Sequence, residues 1–134
     1  MSINDILYLK EENFIANIIT KSEVGQIYSV KSEINRIAKK HLMSIGEYKK
    51  FARKELGLKN KIPIYFSNKL LLFNLKFKET TFWINYFNIL KICYKENIMI
   101  IFKNGHILEI GIKKDHLRKE IMKTVKVLKY ITNL

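Results

Sequence analysis

At 134 residues, 48% hydrophobic and 28% charged, the chain has the size and composition of one soluble domain with a core of its own. One proline and five glycines argue against long linkers, the single cysteine (Cys93) excludes an internal disulfide, and no apolar run reaches the roughly 18 residues that a bilayer span requires. The formal net charge is +13 and unevenly placed: −2 over residues 1–30, +7 over 31–61, +2 over 62–90 and +6 over 91–134.

The opening residues Met1 to Asp5 carry neither the basic nor the apolar region of a secretion signal, which with the lone cysteine suits a reducing cytoplasm. Residues 3–9 and 14–20 read as extended, with a turn at Glu11-Glu12-Asn13, and Gln26 to Val30 as a further β-type run. Ser32 has the character of a helix N-cap, followed by Ile34, Ile37, Ala38, His41 and Leu42 at helical spacing. A second helix is expected from about Glu47 to Leu56, stopped by Gly57.

Pro63 opens a β-rich half. Ile62–Phe66 and Leu70–Phe73 read as strands joined by Ser67-Asn68-Lys69, Phe82–Tyr94 as a long apolar run, and Ile98–Phe102 as another strand. Asn104-Gly105 is the strongest local signal: the pair suits two positive φ angles and predicts a type I′ hairpin between Met99–Lys103 and His106–Ile110. Cys93 falls in an apolar run, as a buried thiol would. The C-terminal segment predicts a helix from about Lys114 to Ile131, with Leu117, Ile121, Val125, Leu128 and Ile131 on one side and Lys119, Lys123 and Lys126 on the other. The expected fold is α+β: an antiparallel sheet built mainly from residues 62–112, a central helical segment and a packed amphipathic C-terminal helix, in one domain.

No nucleophile elbow, phosphate-binding glycine loop or paired-cysteine spacing is present, so no enzymatic activity, metal or cofactor is expected. Two basic blocks around a nearly neutral middle point instead to a polyanion, because every phosphate neutralised by Lys or Arg releases condensed counterions. Between Lys113 and Lys129 seven positive residues face only Asp115 and Glu120, where a merely solvated helix face would alternate its charges. Two modes of DNA reading remain open on pattern alone. The segment Ser32 to Leu58 has the outline of a helix-turn-helix with Met43 to Gly46 as its turn, whereas a β-rich protein can read the minor groove through width and deformability.

Within Ile34 to Arg53, His41, Tyr48 and Arg53 fall in order where the competence transcription factor ComK family, which these and the following landmarks resemble, has a cysteine, a tyrosine and, nearby, an arginine. Lys61-Ile62-Pro63-Ile64 matches a Lys-x-Pro-Ile element, Leu72 to Leu75 stands where the family has Phe-Pro-Thr, Phe82 to Asn85 matches a Trp-Ile element, and Ile101 to Gly105 matches a Val-x-Phe-x-Asn-Gly hairpin. The chain departs from the pattern at Ile45-Gly46-Glu47, where the family has Gly-Ser-Ser, and lacks the proline of Phe-Pro-Thr. Ile84 to Ile92 with the Asn104-Gly105 hairpin also resembles the closing half of a LytTR-type promoter-binding domain.

The ComK resemblance implies a cytoplasmic, nucleoid-associated transcription activator that binds AT-rich double-stranded DNA, mainly through the minor groove, as a homo-oligomer that works with RNA polymerase, with no membrane contact. On this reading Arg36, Lys39, Lys40, Tyr48, Lys49, Lys50, Arg53 and Lys54 anchor phosphates or enter a groove. Lys113, Lys114, Arg118, Lys119, Lys123 and Lys126 supply a second contact surface or an oligomer face. The competing expectation is a regulatory module that recognises an acidic protein.

Overall fold

The computed structural model describes residues 2–133. The fold is α+β, and its strands form two antiparallel sheets rather than one. The larger has six strands: β1 (Ile6–Glu12), β2 (Ile15–Thr20), β3 (Val24–Ile27), β4 (Ile64–Ser67), β5 (Leu70–Phe77) and β6 (Thr80–Asn85), in the order β3-β2-β1-β6-β5-β4. The first 27 residues thus supply half of a sheet that the sequence placed in residues 62–112. The smaller is a meander of β7 (Ile89–Tyr94), β8 (Ile98–Phe102) and β9 (Ile107–Ile110). Helices α1 (Val30–Lys40) and α2 (Ile45–Leu56) lie between β3 and β4 in sequence, and α3 (Lys114–Thr132) closes the chain.

The large sheet is the middle layer because both of its faces are apolar. One face packs Ile6, Leu9, Ile18, Ile64 and Leu72 against Ile34, Ile37 and Ala38 of α1. The other packs Leu7, Phe73, Leu75 and Ile84 against Ile100, Phe102 and Leu108 of the small sheet and Leu117 of α3. A bulge between Ile6 and Tyr8 turns Leu7 and Tyr8 toward this second face, which is how one strand feeds both cores out of strict alternation. A third cluster, with Ala52, Leu58, Ile62, Leu71 and Val127, ties α2 and α3 together around the β4–β5 margin.

The run from Phe82 to Tyr94 is cut at a single-turn 3-10 helix, Tyr86–Asn88, where the chain leaves one sheet for the other. Two buried asparagines make the crossing possible. Asn85 donates to the carbonyls of Ile6 (2.9 Å) and Lys69 (3.0 Å) and accepts from the backbone N–H of Leu71 (3.2 Å) and Phe87 (3.3 Å). Asn88 donates to the carbonyls of Asn4 and Ile6. Backbone groups that lose their ladder partners at the crossing are met by side chains, as buried polar groups must be.

Other local expectations shift for identifiable reasons. α1 starts three residues early: Ser29, not Ser32, is its N-cap, accepting from Ser32 N–H at 3.0 Å, while Glu11 accepts from Val30 N–H at 2.9 Å and adds a carboxylate to the same helix end. Leu42, expected on the buried stripe, is 96% exposed at φ +55, because the helix has ended in a turn that bonds Met43 N–H to Ala38 O. Gly57 does stop α2, at φ +67. The Asn104-Gly105 hairpin forms, but not as type I′. Only Gly105 has positive φ (+93), and Gly105 N–H bonds Phe102 O while Phe102 N–H bonds His106 O, the pattern of a type I turn closed by a glycine bulge. The type I′ turn lies instead at Asn13-Phe14 (φ +50 and +65), between the paired residues Glu12 and Ile15. Cys93 is half-exposed. On α3 the buried stripe is Leu117, Glu120, Thr124 and Val127, rotated toward two polar residues from the face that spacing selected.

Candidate nucleic-acid interface

α2 carries its basic residues as two i,i+4 pairs: Lys49 with Arg53, and Lys50 with Lys54. The first pair faces the loop Leu58–Ile62, which leaves Gly57 in the left-handed region and re-enters the sheet through Pro63. Lys49, Arg53, Lys59, Lys61 and Trp83 line a cleft of about 270 Å³ there. The same loop meets α3. Lys123 Nζ donates to Asn60 O at 2.9 Å, and Leu58 borders a groove of about 450 Å³ along Arg118, Lys119 and Lys126. Residues 118 and 126 lie about 12 Å apart along a helix that rises about 1.5 Å per residue.

The two basic blocks therefore meet. The arc runs from Lys49 and Arg53 on α2, across Lys59 and Lys61, to Lys119, Arg118 and Lys126 on α3. Among the described residues, no carboxylate lies within 4.0 Å of Lys49, Arg53, Lys59, Lys61, Lys119 or Lys126. Arg118 touches Asp115 at 3.9 Å, with both side chains well exposed, a contact too solvated to hold the guanidinium in place. Lys59 and Lys61 stand out as members of this arc that residue patterning alone did not select; their signal is a basic pair in a short loop pinned at one end by a glycine helix stop and at the other by proline.

Three residues expected at the interface are bound up in the fold instead. Tyr48 donates its hydroxyl to Pro63 O at 2.7 Å and accepts from Tyr65 N–H at 3.1 Å, so it closes the outer edge of β4; burial raises its phenol above the ordinary value near 10. Arg36 is forked onto the buried Glu33 carboxylate, and that hydrogen bond raises its already high pKa further. Lys123, expected to project from α3, is only 15% exposed and bonds Glu120 Oε1 at 3.0 Å as well as Asn60 O. Glu120 is buried, so Lys123 is its counter-charge and a strut between α3 and the loop.

The remaining expected residues lie off the arc. Lys39 and Lys40 are exposed in the last turn of α1, where they complement the helix dipole. Lys50 and Lys54 are exposed on the adjacent face of α2. Lys113 precedes α3, and Lys114 Nζ sits 4.7 Å over the Tyr94 ring at the small sheet. His106, beside the Asn104-Gly105 turn, is half-buried with Nε2 2.9 Å from Tyr8 Oη, and His41 Nδ1 lies 2.9 Å from Ile37 O. No described helix is long and apolar enough to cross a membrane. The chain matches no protein-family model, no curated protein and no solved structure.

Proposed function

We propose that the protein binds double-stranded DNA through the cationic arc of α2, the 58–62 loop and α3, and regulates transcription from AT-rich sites in the manner of the ComK family that its sequence landmarks resemble. The observation that carries this reading is the arc itself: seven basic side chains on three segments lining two clefts on either side of the 58–62 loop, of which, among the described residues, only Arg118 has a carboxylate within 4.0 Å. A basic surface that served only solubility would intersperse both signs, whereas Asp115 is the one carboxylate among the residues that line the two clefts. Phosphate contacts of this kind set register; base preference comes from groove shape at AT-rich steps. Binding as a homo-oligomer and contact with RNA polymerase belong to the same proposal.

The test is titration of labelled AT-rich and GC-rich duplexes at several salt concentrations. We expect affinity to fall steeply with salt, and Arg53→Gln, Lys59→Gln, Lys119→Gln and Lys126→Gln each to reduce the slope of log affinity against log salt by about 0.9. Lys39→Gln and Lys40→Gln, off the arc, leave the slope unchanged. Lys123→Gln is unsuitable, because it strands the buried Glu120 carboxylate and unfolds before it informs. A salt-independent affinity, or salt-sensitive binding to an acidic protein but not to duplex, overturns the proposal.

A further inference from the structure

Trp83 is the chain's one tryptophan. It belongs to the helix-facing side of β6 and packs on the α1 core, yet it is only half-buried. Its side chain borders two adjoining clefts, one of about 260 Å³ between α1 and α2 and one of about 270 Å³ toward the 58–62 loop, and Lys49 borders both. Tryptophan is rarely sealed completely even in a core, so what sets this one apart is the lining of its open side. Here its open side is ringed by Lys49, Arg53, Lys59 and Lys61, none of which has a carboxylate within 4.0 Å among the described residues. The one carboxylate of the paired clefts, Glu11, already accepts from Val30 N–H.

An indole beside four unneutralised cations suits a ligand that is planar and aromatic at one end and anionic at the other. We propose that the Trp83 cleft holds a single unpaired nucleobase bearing a 5′-phosphate, with the base against the indole and the phosphate among Arg53, Lys59 and Lys61. Stacking needs no particular base, because every base has a π face, and the cations fix which end enters. The proposal deepens the DNA-binding reading and rests on it only for the shared cations. Two sources carry this chemistry: a free mononucleotide, or a base left unpaired in a DNA strand.

Because no second tryptophan interferes, intrinsic fluorescence reports this cleft directly. The full chain is titrated with deoxyadenosine 5′-monophosphate, with inorganic phosphate, and with two duplexes of one sequence, fully paired or with one central unpaired adenine. We expect saturable quenching by the nucleotide, none by phosphate at equal concentration, and about five-fold or greater weakening of that quenching in the Arg53→Gln/Lys59→Gln variant. Trp83→Phe, which keeps a ring in the core, should lower nucleotide affinity about five-fold by calorimetry, with unfolding by urea showing that the fold persists. Tighter binding of the unpaired-base duplex, with quenching, assigns the base to DNA; quenching by the nucleotide with equal affinity for both duplexes assigns it to a free nucleotide. Quenching by neither nucleotide nor unpaired-base duplex, or equal quenching by phosphate, overturns the cleft. Binding of the fully paired duplex is followed separately by anisotropy, so a chain that binds it without any nucleotide response loses the cleft and keeps the arc, and the converse result removes the arc alone.

Discussion

The two margins of the six-stranded sheet are built on opposite plans. At the β4 margin, the Tyr48 hydroxyl satisfies the backbone on both sides of the edge, α2 and α3 fold over it, and Asn85 ties the β4–β5 turn to β1. At the β3 margin the outer strand, four residues long like β4, receives no side-chain hydrogen bond among the described residues, Tyr28 just beyond it is 92% exposed, and Phe14 at the neighbouring β1–β2 turn is 100% exposed. The closed margin carries the cationic arc, and the open one belongs to the segment with net charge −2. The contrast has a physical cause. On the proposed DNA-binding reading, a surface that faces phosphates at fixed spacing must hold its lysines on rigid elements, which fits the side-chain bonds collected beneath it. The other margin has no such demand; its edge strand, as short as β4, limits strand addition by other chains.

The largest effect should follow from removing the asparagine under the closed margin. Asn85→Leu keeps the volume but removes a partner from two carbonyls and two N–H groups, two of the four bonds being buried, and of these groups the Ile6 carbonyl keeps a second side-chain donor, Asn88. We expect a loss of about 3 to 4 kcal/mol in urea unfolding. A loss under 1 kcal/mol would show that backbone or water supplies those bonds and that the closed margin is no more firmly held than the open one.

Tyr48→Phe should come next, at about 1 to 3 kcal/mol, since Pro63 O and Tyr65 N–H lose their partner. It also has a pH signature. Burial raises the Tyr48 phenol above its ordinary value, so the folded state keeps its proton where the unfolded chain has released one. The stability this contributes is fully present below about pH 10 and falls as pH rises toward the folded pKa. The wild-type chain should therefore lose stability as pH rises above about 10, and Tyr48→Phe should lose less over the same range. Some alkaline loss should persist in the variant, because burial raises Tyr8 in the same direction. Identical slopes in both chains would mean that the Tyr48 hydroxyl is solvated.

How much of this was legible follows from the range of each interaction. Alternation marked most strands, and Gly57 marked the end of α2, because both are local properties of a few residues. Tyr48, Lys123 and Asn85 were not legible in their roles. Their partners lie 15, 63 and 79 residues away, and a polar side chain in a pattern reads as surface until its partner is known. Glu120 and Thr124 rotated the buried face of α3 for the same reason: a satisfied polar group occupies core as readily as an apolar one. The two basic blocks were visible as charge, but their junction at Lys59 and Lys61 depends on α3 returning to a loop some 60 residues earlier.

The smallest effect, and the only gain, belongs to the β1–β2 turn in the same acidic segment as the open margin. Phe14 occupies the second position of a two-residue type I′ turn, where the left-handed backbone (φ +65) crowds a Cβ and where glycine is ordinarily found. Its ring is fully exposed, so nothing in the monomer offsets that strain. Phe14→Gly should stabilise the chain by about 0.5 to 1 kcal/mol, the relief of the left-handed strain less the added freedom of glycine in the unfolded chain. An unchanged or lower unfolding midpoint would mean that the ring has a contact within the monomer that offsets the strain. The salt dependence of duplex binding gives a second reading of the same variant. With Glu11 and Glu12 next to the turn, the hairpin tip is a poor neighbour for phosphate, so the slope should match that of the unmodified chain. If affinity for a fully paired duplex drops while the slope stays fixed, Phe14 enters the base stack as an apolar wedge, and the division between a DNA-facing margin and a free one no longer holds.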